Sequence, residues 1–426
     1  MDLKQAHYET QCVQGGYAPE NGEPRVMPIV QSTTYKYDKT DDVCKLFDLE
    51  ADGHMYSRIS NPTLAVLEEK IALLEGGVGA MMTSSGQAAN MLAILNICKA
   101  GQHVLAMSNL YGGTHNLFGP TFKNFGIDVT FVDPSLSLEE LKGYIQENTR
   151  AVFGETIGNP GVDVLDFEKA ATLAHDAGIP LIVDSTFATP VLCRPFEHGA
   201  DIVTHSTTKY FDGHATSVGG VIVDSGKFDW NNGKFPELTQ PDETYHGVIY
   251  TEKFGAAAYI TKVRVTLLRD LGSTMAPFNA FLTNLGLETL ALRMKKHSEN
   301  SLALAEYLEN HPKVSWVKYP LLKSSKTYDL AQKYLPEGGS GIIAFGVKGG
   351  ASAGKTFIDS VDLASLVIHV GDLRTHVLHP ATSTHRQLSE EQQITCGVSP
   401  DLIRLSVGIE NFEDIKADLE QALANV

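Results

Sequence analysis

"LIVDSTFATPVLCRPFEHGADIVTHSTTKY", residues 181–210, contains two short apolar runs, each leading into a polar group that can carry chemistry. The first, "LIVD", ends on Asp184. The second, "DIVTH", is followed by Lys209, a lysine set among Ser206, Thr207, Thr208 and Tyr210. Both runs are short for helices and apolar at odd and even positions alike, which marks strands covered on both faces. The same texture recurs at "HVLAM" (103–107), "DVTFV" (128–132), "AVFGE" (151–155) and "GGVIVD" (219–224). Helical stretches lie between, at "QAANMLAILNICK" (87–99), "SLEELKGYIQEN" (137–148) and "FEKAATLAHDAG" (167–178). Ser137 with Glu140 fits a capping box. Strands of this kind alternating with helices imply an α/β fold, a mainly parallel sheet sandwiched by helices. Ligands in such sheets sit beyond the carboxyl ends of the strands. Asp184 and Lys209 are therefore expected on one rim.

Outside this alternation the chain changes character twice. The first 60 or so residues show little periodicity and many turn formers, the texture of an extended arm. From Pro62 onward Leu64, Leu67, Ile71 and Leu74 share a helical face, and Gly76-Gly77 stops that helix. After about residue 270 a long helical region runs from Phe278 to Asn310. Strands "VSWVKY" (314–319), "GIIAFGV" (341–347) and "LIRLSVG" (402–408) follow, with a last helix over Asp414–Ala424. This predicts an arm over 1–60, a large domain over 61–270 and a smaller α/β domain over 271–426. A chain of 426 residues with 43% hydrophobic content can bury cores of that size. A net charge of -17 without a Lys/Arg run argues against nucleic-acid binding, which needs clustered cations. The N-terminal stretch lacks the apolar segment of a secretory signal, and no run is long enough to cross a membrane. Cys12, Cys44, Cys98, Cys193 and Cys396 are scattered with no CxxC. They read as thiols of a cytoplasmic protein, not a disulfide frame or a metal site.

The residues around the rim suggest a specific partner. Ser206 and Thr208 flank the lysine with hydroxyl groups. "TSSGQAAN" (83–90) opens a helix, whose free N–H groups make an anion site. Taken singly, these features are also compatible with a solvated Asp–Lys pair and an ordinary N-cap. Together they meet three demands. A lysine can hold an aldehyde as a Schiff base. A carboxylate can keep a pyridine nitrogen protonated, making the ring an electron sink. Hydroxyls and helix-start amides can hold a phosphate. Pyridoxal 5'-phosphate is the cofactor that needs all three.

Over nearly its whole length the chain resembles the Cys/Met-metabolism family of pyridoxal-phosphate enzymes, the cystathionine γ-synthase-like group of fold type I. The resemblance rests on "YSRISNPT" (56–63), "SSGQAA" (84–89), "LYGGT" (110–114), "IGNP" (157–160), "VDSTFATP" (183–190), "HSTTKY" (205–210) and "IRLSVGIE" (403–410). It implies a seven-stranded sheet and the following roles. Lys209 resembles the Schiff-base lysine that also moves protons. Asp184 resembles the partner of the ring nitrogen, and Ser85, Gly86, Gln87, Ser206 and Thr208 resemble the phosphate cradle. Tyr111 resembles the tyrosine stacked on the ring, and Asn159 the residue bonded to the ring hydroxyl. Tyr56 and Arg58 resemble the pair that reaches the phosphate of a neighbouring subunit, which implies a homo-oligomer, a dimer or a dimer of dimers. Arg404 resembles the arginine that grips the substrate α-carboxylate. Thr375, with Tyr56 and Asn159, falls where the family contacts substrate. On this reading Asp184 and Lys209 are separated by the cofactor ring and not in contact.

Within the family the resemblance is strongest to the O-acetylhomoserine sulfhydrylase branch, carried by "YGGTHNLF" (111–118), "DGHATSVGGVIVDSGKFDW" (212–230) and the insert "FPELTQPDETYHGVIY" (235–250). It implies γ-replacement, O-acetylhomoserine plus sulfide or methanethiol giving homocysteine or methionine, with methionine γ-lyase or cystathionine γ-synthase-type γ-elimination or replacement as the alternative. The stretch "GDLRTHVLHPATSTHRQL" (371–388) is less typical at Leu373 and His376, which leaves open the thiol, the balance of replacement and elimination, and the roles of Arg374 and His376. One motif points to another class. "GGASAGKT" (349–356) fits the phosphate-binding G-x-x-x-x-G-K-[ST] pattern between a strand and a helix. Few strand–helix units follow it, so it reads as a turn and helix start in the smaller domain.

Overall fold

The computed structural model describes residues 2–387, 389, 391, 393 and 397–426. Cys396, and Leu388 at the end of the 371–388 stretch, lie outside them. The first sheet has seven strands: β1 (Gly79–Thr83), β2 (His103–Met107), β3 (Asp128–Val132), β4 (Thr149–Glu155), β5 (Leu181–Asp184), β6 (Ile202–His205) and β7 (Gly220–Asp224). Their spatial order is β1-β7-β6-β5-β4-β2-β3. β7 runs antiparallel to both β1 and β6, and the other pairings are parallel. Every residue of β2, β6 and β7 is buried, so both faces of the sheet are covered, as the unbroken apolar runs require. The sequence reading omitted β1. "GAMMT" lacks β-branched residues apart from Thr83 and becomes a strand through its pairing with β7, from Gly79↔Asp224 to Thr83↔Gly220.

The second sheet joins β8 (Val314–Lys318), β9 (Ile342–Val347), β10 (Ser365–Leu366), β11 (His376–Leu378) and β12 (Leu402–Ser406) in the order β10-β11-β12-β9-β8. A second apolar core packs around it, including Phe345, Phe357, Ile403, Leu405 and Leu419. The helical region expected over Phe278–Asn310 is two helices, Pro277–Glu288 and Leu290–Glu309, parted at Thr289. The phosphate-loop pattern at 349–356 makes no such loop. The helix Gly350–Asp359 begins inside the motif, and β9 before it is flanked by antiparallel strands, not by the parallel neighbours of a phosphate-loop unit.

The first residues are not free-standing. The helix Tyr8–Gln14 buries Cys12, Arg194 lies 4.4 Å over the Tyr8 ring, and its Nη2 donates to Gln11 Oε1 at 2.9 Å. The helix Pro62–Glu75 follows the predicted face, is capped by Asn61, and ends at Gly76 with φ of 77°, a left-handed stop that glycine adopts without strain. Its last residue, Glu75, accepts a 2.6 Å bond from Nε2 of His205, both side chains being fully buried. That contact ties the helix to the end of β6, directly before the Lys209 turn. Glu75→Ala is expected to lower the unfolding free energy by about 2–3 kcal/mol, read as a lower urea midpoint. An unchanged midpoint would show that the pair holds nothing in place. Among the described residues no helix is long and apolar enough to cross a membrane.

Candidate active site

The turn after β6 is fixed by its own backbone. Lys209 N–H donates to Ser206 O (3.2 Å), Asp212 N–H to Thr207 O (3.0 Å) and Gly213 N–H to Lys209 O (2.8 Å). Tyr210 anchors it from beneath: the buried hydroxyl accepts from Gly341 N–H at 3.1 Å, linking the turn to the second sheet. Lys209 thus sits where the two sheets meet. On the adjacent strand Asp184 closes β5, in register with Thr204 of β6 and Glu155 of β4. Its Oδ1 accepts from the Thr186 N–H (3.0 Å) and hydroxyl (2.5 Å), and its Oδ2 from Asn90 Nδ2 (3.1 Å). Asn90 is oriented in turn by Thr204, whose hydroxyl donates to its Oδ1 at 2.6 Å. The carboxylate is held rigidly on both oxygens. The Lys209 amine turns elsewhere, to Nδ1 of His369 at 3.3 Å.

These groups line one cleft of about 190 Å³. Ser85, Gly86, Gln87, Tyr111, Asn159, Asp184, Ser206, Thr208, Lys209 and Arg404 all face it. At one end the helix Gly86–Leu95 starts, with Ser85 Oγ accepting from Ala88 N–H. The Gly86 and Gln87 N–H groups have no acceptor among the described residues. A Cβ on Gly86 would lie 2.6 Å from Ser206 Cβ, so glycine is what lets the helix start and the lysine turn share one concavity. Ser206 offers an uncommitted hydroxyl there, whereas Thr208 Oγ1 donates to Gly219 O (3.2 Å) and accepts from Gly219 N–H (3.1 Å).

At the other end Arg404, on β12, is 4% exposed. Its Nη1 donates to Asn159 Oδ1 (3.2 Å) and its Nη2 to His369 O (3.4 Å). Burial pushes its pKa down to about 10, which leaves it a cation at neutral pH. Burial, and behind it the Arg404 charge, pushes the Lys209 ammonium down to about 8. An amine poised there can both take and return a proton near neutral pH. The arrangement is an anion cradle, a fixed carboxylate, a poised amine and a buried guanidinium around one space.

The model of the family of Cys/Met metabolism PLP-dependent enzymes matches residues 9–424. The chain belongs to this family. It is 47% identical to the O-acetyl-L-homoserine sulfhydrylase of Leptospira meyeri, over 98% of this chain and 97% of that protein. It is 48% identical to the homocysteine synthase of Schizosaccharomyces pombe over 99% of each. A solved structure from Campylobacter jejuni, assigned as an O-acetylhomoserine (thiol)-lyase, superposes with a TM-score of 0.95 at 37% identity. It covers 98% of this chain and 100% of that one, and it carries N'-pyridoxyl-lysine-5'-monophosphate.

The cleft of this pyridoxal-phosphate enzyme fits the cofactor on its own geometry. The free N–H groups and the Ser206 hydroxyl suit a phosphate, the fixed carboxylate suits a ring nitrogen, and the Lys209 amine suits an aldehyde. Tyr111 lines the wall at 37% exposure, and Gly113 lets its ring lie close, since a Cβ there would be 2.4 Å from Tyr111 Cε1. Tyr56 and Arg58, expected at a neighbouring subunit's phosphate, lie outside this chain's own cleft, and so does Thr375. Tyr56 is 41% exposed with Arg58 stacked 5.2 Å from its ring, and neither faces the space. Thr375 is buried with its hydroxyl committed, donating to Glu410 Oε2 (3.0 Å) and accepting from Gly408 N–H (3.0 Å).

Glu155, Asn90, Thr186 and His369 line the cleft and were not singled out from sequence. Glu155 was legible in principle: like Asp184 it ends a parallel strand. It accepts from Tyr111 N–H at 2.8 Å, and burial beside Asp184 raises its pKa well above the ordinary carboxyl value. Arg374 and His376 both turn to Asp372, at 3.1 Å each.

Proposed function

We propose that this chain transfers the four-carbon aminoacyl group of O-acetylhomoserine to sulfide, giving homocysteine and acetate. The observation that carries the reading is the placement of Lys209 and Arg404 in one cleft: a proton-moving amine beside a carboxylate grip. Full-length likeness to O-acetylhomoserine sulfhydrylases supports the choice of ester and acceptor. When bound, pyridoxal phosphate supplies an aldehyde that takes up an amino group and a ring that draws electrons from the neighbouring carbon.

The chain's own residues do the rest. Gly86 and Gln87 N–H and Ser206 Oγ hold the phosphate, with Ser85 capping the helix that presents them and Thr208 shaping the turn. Asp184, fixed by Thr186 and Asn90, keeps a proton on the ring nitrogen. Arg404 receives the substrate carboxylate, a role its planar fork fits better than a lysine would. Asn159, whose Oδ1 is held by Arg404, would bond the ring hydroxyl. Lys209 Nζ takes the proton from Cα and returns it along the carbon chain, while Tyr111 walls the site and its phenol would assist the leaving group. Tyr56 and Arg58 would serve the cleft of a second copy, in a cytoplasmic homo-oligomer. In this reading residues 1–60 form the arm, 61–270 the cofactor domain and 271–426 the smaller domain.

The test is a pair of incubations of the purified, cofactor-loaded protein. O-acetylhomoserine with sulfide should yield homocysteine and acetate, and methionine alone should yield no 2-ketobutyrate. Rapid keto-acid release from methionine, with little homocysteine from the first mixture, would overturn the transferase reading in favour of a γ-lyase.

A further inference from the structure

His369 has no role in the account so far, yet it is the side chain that the Lys209 amine meets, 160 residues away in sequence. It lines the cleft and is half-buried. Its backbone carbonyl accepts from Arg404 Nη2 at 3.4 Å, so the arginine that faces substrate also holds the histidine in place. On the far side the His376 ring packs edge-on, with centroids 6.2 Å apart at 78°. His376 is itself pinned by Nε2 to Asp372 Oδ2 at 3.1 Å. His369 Nε2 is buried without a partner among the described residues, so the contact through Nδ1 is the ring's polar anchor.

We infer that His369 is a positioning residue for Lys209: a neutral imidazole whose Nδ1 accepts a hydrogen bond from Nζ, aims the amine into the cleft and keeps it basic enough to shuttle protons. This inference rests on the catalytic role proposed for Lys209. Charge supports it. Lys209, His376, Asp372 and Asp212 face His369, and burial together with the Lys209 charge pushes its pKa down to about 4. The ring is neutral when the lysine is protonated, so the lysine donates and the imidazole accepts. Burial and Arg404 both depress the lysine. An acceptor that favours its charged form opposes them. Without it the amine would be a weaker base with no fixed direction.

The experiment compares His369→Leu with His369→Asn, whose Oδ1 can stand where Nδ1 stands. The full chain, freed of cofactor, is modified with trinitrobenzenesulfonate across a pH series, and the Lys209 peptide is followed by mass spectrometry. In the leucine variant the pH midpoint of Lys209 modification should fall by about half to one unit, and in the asparagine variant it should stay near that of the parent chain. In the loaded enzyme, kcat should fall roughly tenfold for leucine with KM little changed, and asparagine should recover most of it. His369→Met repeats the measurement should the leucine variant not fold. A midpoint that does not move, or that moves equally for leucine and asparagine, overturns the inference. Borohydride fixation of cofactor in the loaded enzyme reports separately on Lys209: fixation at another residue would sink the functional reading itself.

Discussion

Lys209→Ala is expected to lower kcat/KM for O-acetylhomoserine and sulfide by on the order of 10⁴-fold. The amine is the basic nitrogen that the turn after β6 delivers into the cleft, and its pKa near 8 leaves a usable neutral fraction at working pH. Alanine leaves nothing at Nζ to take or return a proton. The fold should survive, because Tyr210 keeps its bond to Gly341 N–H and the turn keeps its backbone bonds. Far-ultraviolet circular dichroism matching the parent chain would check that. Methylamine in the buffer should restore part of the rate by entering the space the side chain vacates. Activity within tenfold of the parent would place the proton shuttle on another residue.

Arg404→Leu is expected to cost on the order of 10²–10³-fold in kcat/KM, chiefly through a higher KM for the amino-acid substrate. Arg404 is buried on β12 between β11 and β9, and its hydrogen bonds to Asn159 and His369 O fix the guanidinium. A leucine offers a substrate carboxylate no partner at a buried position. Arg404→Lys should fall between, since it keeps the charge but loses the planar fork. Steady-state kinetics with varied O-acetylhomoserine separates the cases. A loss confined to kcat with KM unchanged would mean that Arg404 acts on the chemistry and not on substrate capture.

Much of this site was legible in the residues. Asp184 and Lys209 end or follow short two-sided apolar strands, and parallel sheets place such groups on one rim, so their shared cleft follows from local patterns. The cradle at Ser85–Gln87 was readable from its helix-start composition. β1 escaped because "GAMMT" has no strand signature of its own and exists by pairing with β7. Glu155 escaped because its partners, the Tyr111 N–H and the neighbouring Asp184, meet it only through strand register and not within its own stretch of sequence. His369 could not have been found by spacing. It comes from an irregular segment between β10 and β11, and only the meeting of the two sheets sets it against Lys209. Thr375 shows the converse: a hydroxyl whose partners, Glu410 and Gly408, come from beyond β12 and occupy it fully.

The most direct test of the central claim is reduction of the purified protein with borohydride, followed by proteolysis and mass spectrometry. The account predicts a yellow protein that loses its colour on reduction and carries a pyridoxyl phosphate adduct on the peptide containing Lys209. A colourless preparation that takes up no pyridoxal phosphate, or an adduct on any other lysine, would contradict it.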